Sequence, residues 1–119
     1  DYMNKVKPPY NVNLATQQLA LQALDNIQWV NEHIRETVKS RNELVAALQA
    51  VKTVQHIYPT DANFILVKMD NAKQMYDYLV QQGTIVRDRS KVELCEGCLR
   101  ITIGTTQENQ TLIQQLQQL

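Results

Sequence analysis

Apolar residues recur at helical spacing through the first fifty positions of the chain and switch to a two-residue period beyond them. From Leu14 to about Leu24 the alanine and leucine content predicts a short helix, with Asn13 as its N-cap. A break at Asp25 and Asn26 separates it from a longer helix, Ile27 to about Ala50. There Ile27, Val30, Ile34, Val38, Val45 and Leu48 form a stripe that reads as core. The opposite face, with Glu32, Arg35, Glu36, Lys39 and Glu43, offers ion pairs one turn apart. Ahead of these helices, residues 1–13 centre on Lys7, Pro8, Pro9 and Tyr10. Each proline fixes its own backbone and restrains its predecessor, so the segment reads as an extended lead-in.

After Lys52 the pattern becomes extended. Val54 to Tyr58 and Asn63 to Met69 are two expected strands, joined through Pro59, Thr60 and Asp61 as an antiparallel hairpin. Phe64-Ile65-Leu66-Val67 is apolar on both faces, which predicts a central strand covered on both sides. Asp70 or Asn71 caps a helix with Ala72, Met75, Tyr76 and Leu79 on its apolar side, and Gly83 ends it. Thr84 to Arg87 is a third expected strand, and residues 88–97 are a polar loop or weak hairpin. Cys98 to Thr105 is a strand running into a helix cap. Thr105 and Glu108 make a capping box for a last helix through Leu112, Ile113, Leu116 and Leu119, whose glutamines form its wet face.

These elements add up to an α+β unit, an α/β two-layer arrangement: a small, mostly antiparallel sheet with helices packed on one face, preceded by a long helix. The doubly apolar strand calls for a cover on the sheet's second face. Nothing left in 119 residues can supply it, so a missing neighbour is expected.

In the strand at Cys98, Leu99, Ile101 and Ile103 alternate with Arg100 and Thr102, so one face is apolar and the other presents a guanidinium beside a hydroxyl. Two readings stay open. Arg100 is an edge-strand arginine paired with a surface carboxylate, or it is an anion receptor whose planar fork matches a carboxylate or phosphate. Arg87, thirteen residues earlier, ends the preceding strand. Neighbouring strands would bring the two guanidiniums to a common edge, provided both point to one face.

The remaining composition narrows the function by exclusion. Twelve acidic and twelve basic residues balance, and no basic stripe with interleaved aromatics appears, which disfavours nucleic-acid binding. No apolar run is long enough to cross a bilayer and no secretory leader pattern opens the chain, so a cytoplasmic protein is the default expectation. Cys95 and Cys98 form a CxxC pair, but His33 and His56 lie far away without zinc-site spacing. The pair also precedes a strand instead of opening a helix, and reads as an incidental reduced pair, with a labile disulfide as the alternative. No GxSxG, Walker loop or dinucleotide fingerprint is present.

Four stretches, taken in order and spacing, carry a resemblance: Lys7-Pro8-Pro9-Tyr10-Asn11-Val12-Asn13, Asp61-Ala62-Asn63-Phe64-Ile65-Leu66, Gly83-Thr84-Ile85-Val86-Arg87-Asp88, and Cys98 to Thr105. Together they resemble the C-terminal part of the histidinol-phosphate aminotransferases, pyridoxal-phosphate enzymes of the aspartate-aminotransferase fold. The resemblance implies transamination between histidinol phosphate or imidazole-acetol phosphate and glutamate or 2-oxoglutarate, in histidine biosynthesis. It implies that Arg100 grips the α-carboxylate of glutamate and that Arg87 helps to bind the phosphate. Residues 1–13 would then be a hinge from a large domain and residues 14–119 the small domain. The cofactor-linking lysine and the other pyridoxal-phosphate ligands would lie in that large domain, leaving this chain inactive alone. Family members are dimers, which implies a homodimeric parent. The CxxC is outside the family pattern.

Other readings remain: the small domain of a threonine-phosphate decarboxylase, whose substrate also carries a phosphate; a non-catalytic aminotransferase-like regulatory or binding module; and an adaptor built on the glutamine-rich helix.

Overall fold

A computed structural model describes residues 2–6, 10 and 12–118. It contains five helices, α1 (Tyr2–Val6), α2 (Leu14–Asp25), α3 (Ile27–Gln49), α4 (Ala72–Gln81) and α5 (Thr106–Gln117), and four strands, β1 (Val54–Ile57), β2 (Phe64–Met69), β3 (Arg87–Asp88) and β4 (Cys98–Thr102). The chain divides into two compact units, Asp1–Ile34 and Arg35–Leu119, with the dividing point inside α3.

In the first unit, Asn13 caps α2 as expected: its side chain accepts a hydrogen bond from the Thr16 N–H at 2.9 Å. Only Asn26 interrupts the path into α3, because α2 continues through Asp25. The extended lead-in is corrected over residues 2–6, which are helical. Proline restrains only the residue immediately before it, so Pro8 and Pro9 leave Tyr2–Val6 free to coil. Lys7, Pro8, Pro9 and Asn11 of that segment lie outside the described residues.

The second unit holds the sheet, in the order β1-β2-β4-β3, and every pair is antiparallel. A bulge at Gln55 shifts β1, so that Val54 faces Met69 while His56 faces Lys68. Ile65 pairs with Ile101 and Val67 with Leu99, and all four are buried on the face that the helices cover. Leu44 and Leu48 of α3, Met75 and Leu79 of α4, and Leu112 and Leu116 of α5 close the core over them. Each fully buried aliphatic side chain contributes about 1.5–3 kcal/mol relative to exposure. The α+β reading, with helices on one face of the sheet, therefore stands.

Two expectations about these elements change. The α3 stripe is core only at its end: Leu48 is 0 % exposed, whereas Ile27 is 51 % and Ile34 55 % exposed, and the core partner one turn before Leu48 is Leu44. Periodicity identifies an apolar face but says nothing about what covers it. The central strand is buried on the helix side; Phe64 and Leu66, on the face for which a further cover is expected, are half-buried.

The third strand is shorter than expected and begins at Arg87. Gly83, at φ +79°, ends α4, and its N–H donates to the Val80 carbonyl at 3.0 Å. The Thr84 N–H then donates to the Leu79 carbonyl at 2.8 Å, which ties the start of the segment to the helix and not to β4. A cavity of about 660 Å³ opens between this segment and the end of β4, lined in part by Thr84, Val86, Ile101, Ile103 and Leu112.

The capping box of α5 is complete. The Thr105 hydroxyl accepts from the Glu108 N–H at 3.3 Å, and Glu108 Oε2 accepts from the Thr105 N–H at 2.7 Å. Leu119, expected on the α5 stripe, lies outside the described residues.

Candidate functional site

The uncovered face of the sheet is set by register. Because β2 and β4 alternate, Phe64 pairs with Thr102, Leu66 with Arg100 and Lys68 with Cys98 on the face opposite the core. Tyr58 joins this face from the end of β1, its N–H donating to the Leu66 carbonyl at 3.0 Å. On the far side of β4, Arg87 pairs directly with Arg100. Residues opposite one another in an antiparallel ladder share a face. One row thus crosses the sheet from Tyr58 through Leu66 and Arg100 to Arg87.

Arg100 stands in an interior strand with β2 on one side and β3 on the other, which corrects the edge-strand reading. Its guanidinium lies 5.1 Å from the centroid of the Phe64 ring, a cation–π distance that holds the side chain over the sheet. Among the described residues it has no carboxylate partner: the ion pairs are Lys39 with Glu43, at 3.8 Å, and Lys73 with Asp77, both on helix surfaces. Its Nε is buried and makes no hydrogen bond. Burial, and then the neighbouring charges of Arg87 and Arg89, pull its pKa below the usual guanidinium value. A guanidinium stays charged through such a shift, so the site holds unneutralised positive charge.

Arg89 was not singled out in the sequence. Its signal was the two-residue spacing from Arg87, which places both on one side of an extended segment. Asp88, between them, pairs with Leu99 and so belongs to the opposite side. There it accepts a hydrogen bond from the Ser90 N–H at 2.9 Å. Lys68, half-buried beside His56 and Cys98, adds a further cation on the neighbouring row.

The cysteines are free thiols. Burial pushes the Cys98 thiol up in pKa, which favours the protonated, unreactive form, and its S–H lies 3.8 Å from the Glu96 carbonyl. Among the described residues no cluster of histidine, cysteine or carboxylate side chains is arranged to hold a metal. Nor is any helix long and apolar enough to cross a membrane. His33 approaches the Trp29 carbonyl at 3.0 Å and stacks near its ring, and His56 meets Tyr58 edge-on, as ordinary surface histidines do.

Pyridoxal phosphate needs an enclosed lysine amine and a carboxylate for its pyridine nitrogen. Every described lysine other than Lys68 is exposed, and Lys68 has no ion-pair partner among the described residues. The described residues therefore do not fit the cofactor. What they fit is an anion.

The profile of the family described as aminotransferase class I and II matches residues 1–116. A histidinol-phosphate aminotransferase of Cytophaga hutchinsonii is 49% identical over 111 residues, covering 93% of this chain and 32% of the relative. The chain thus spans about a third of the length of such relatives. The crystal structure of the histidinol-phosphate aminotransferase from Clostridium acetobutylicum superposes with a TM-score of 0.82 at 19% identity, over 98% of this chain and 36% of that one. That of L-threonine-O-3-phosphate decarboxylase from Porphyromonas gingivalis gives 0.60 at 26% identity, over 71% of this chain and 26% of that one.

Proposed function

The chain belongs to the class I and II aminotransferases, and from that premise we propose that it is the C-terminal small domain of a histidinol-phosphate aminotransferase. Residues 1–13 form the hinge from the large domain and residues 14–119 the small domain. The parent enzyme exchanges an amino group between histidinol phosphate and 2-oxoglutarate, in the cytoplasm and as a homodimer. Pyridoxal phosphate, which makes the amino-bearing carbon acidic, is held by the large domain. This chain contributes the substrate-binding arginines: Arg100 for the carboxylate of glutamate and Arg87 for the phosphate of histidinol phosphate.

The observation that carries the reading is the Arg87–Arg100 pair, two charged guanidiniums on the uncovered face of the sheet with no carboxylate between them. Histidinol phosphate has a phosphate and no carboxylate, and glutamate has carboxylates and no phosphate. Two adjacent planar donors accommodate both in turn. Relatives at 49% identity over most of the chain favour this substrate pair over the decarboxylase reading, whose structural likeness covers less of the chain.

The test is turnover by the complete, cofactor-loaded protein. Conversion of imidazole-acetol phosphate and glutamate into histidinol phosphate and 2-oxoglutarate is the expected result. Carbon dioxide release from threonine phosphate would transfer the chain to the decarboxylases, and a parent without a cofactor-binding lysine would make it a binding module.

A further inference from the structure

Register and charge on the uncovered face extend the site by one residue. The β3–β4 ladder does not stop at Asp88: the Arg89 N–H donates to the Cys98 carbonyl at 2.9 Å, so the chain stays paired with β4 for one more position. The two-residue period then puts Arg89 on the side of Arg87 and Arg100. Its charge reaches Arg100, where it acts together with that of Arg87. The carboxylate nearest in sequence, Asp88, belongs to the other side and is held by the Ser90 N–H. Among the described residues, Arg89 has no ion-pair partner.

We infer that Arg89 is a third anion-facing cation of this site and a specificity-determining residue, favouring a phosphate monoester dianion over a carboxylate monoanion. The inference rests on the assignment of Arg100 and Arg87 as substrate residues. Its logic is one of charge: Coulomb attraction scales with the product of the charges, and a phosphate monoester carries close to two negative charges near neutral pH where a carboxylate carries one. A third guanidinium therefore strengthens the hold on the dianion more than on the monoanion. It also gives the phosphate a second donor beside Arg87 when Arg100 is the group that exchanges partners between half-reactions.

The experiment follows each half-reaction separately through cofactor absorbance in the complete holoenzyme, with histidinol phosphate in one series and glutamate in the other. Arg89→Gln should lower kcat/KM for histidinol phosphate roughly five- to tenfold and change that for glutamate less than about twofold. Arg89→Lys, which keeps the charge and the backbone N–H, should retain kcat/KM for histidinol phosphate within about threefold. Lys91→Gln, which removes an exposed cation two residues away, should leave both half-reactions as they are. The inference is overturned if Arg89→Gln leaves histidinol phosphate unaffected, depresses both substrates equally, or is matched by Lys91→Gln. Arg100→Lys in the same assay separates the two levels. If it too leaves both half-reactions intact, the underlying site assignment fails; a loss at Arg100 beside no loss at Arg89 rejects the role of Arg89 alone.

Discussion

Arg87 and Arg100 stand directly opposite each other across the ladder between β3 and β4. A sheet gains from opposite charges at such a position and loses from like ones, so the pair costs folding energy unless an anion lies between the guanidiniums. Arg87 is exposed, and water screens much of that repulsion. Arg87→Gln should accordingly raise the thermal midpoint of the substrate-free protein slightly. The same change should lower kcat/KM for the phosphate-bearing substrate. A melting curve that moves down in the variant would contradict the repulsion.

Arg100→Lys keeps one positive charge and discards the fork. A single ammonium cannot make two parallel hydrogen bonds to a carboxylate, and the stacking over Phe64 weakens with it. In the complete enzyme kcat/KM for glutamate should fall roughly 10- to 100-fold. Cofactor binding, read from its absorbance spectrum, should stay as it was. A parallel loss of cofactor would make Arg100 a structural residue.

The capping box makes the start of α5 sensitive to acid. The Thr105 N–H, and then its hydroxyl, hold the Glu108 carboxyl below its ordinary value. Because the folded-state pKa is the lower one, this stabilisation is complete above the ordinary carboxylate range and disappears as pH falls through the depressed value. Glu108→Gln should flatten that part of the stability-versus-pH curve, measured by urea denaturation between neutral and acid pH. Thr105→Ala, which removes the cap hydroxyl, should cost about 1 kcal/mol at neutral pH.

Gly104 is required for a different reason from Gly83. A Cβ at residue 104 would lie 2.9 Å from Glu108 Oε2 and 3.0 Å from Glu108 Cβ. The carboxylate tip can turn away, but the Cβ is fixed to the helix. Asn109 also clasps the residue, accepting from the Gly104 N–H at 3.0 Å and donating to its carbonyl at 3.1 Å. Gly104→Ala should therefore disrupt the capping box and cost about 1–2 kcal/mol, seen as a lower urea midpoint. An unchanged midpoint would mean that the helix start yields freely.

Local pattern made much of this legible. The alternation of Leu99 and Ile101 with Arg100 and Thr102 assigned the faces of β4 correctly, and the spacing of Thr105 and Glu108 gave the helix start. Two things were not legible. The length of β3 depended on where Thr84 spends its N–H, and that bond goes to a helix terminus that a strand pattern does not encode. The opposition of Arg87 and Arg100 depended on the path of the loop between them. That loop turns through positive φ at Leu94 and Gly97, and its end is fixed by the Arg89–Cys98 bond. The α3 stripe failed in the other direction: Ile27 and Ile34 are as apolar as Leu48 but belong to the first unit, in which no described residue is buried.

The interior position of β4 has a mechanical consequence. Arg100 is stitched to a strand on either flank, and a few residues later its chain becomes the first turn of α5, clamped by Asn109 and Glu108. A tug on Arg100 is thus shared by both neighbouring strands and the last helix. An anion that pulls on this arginine draws a stiff plate toward itself and leaves the strand beneath unbent.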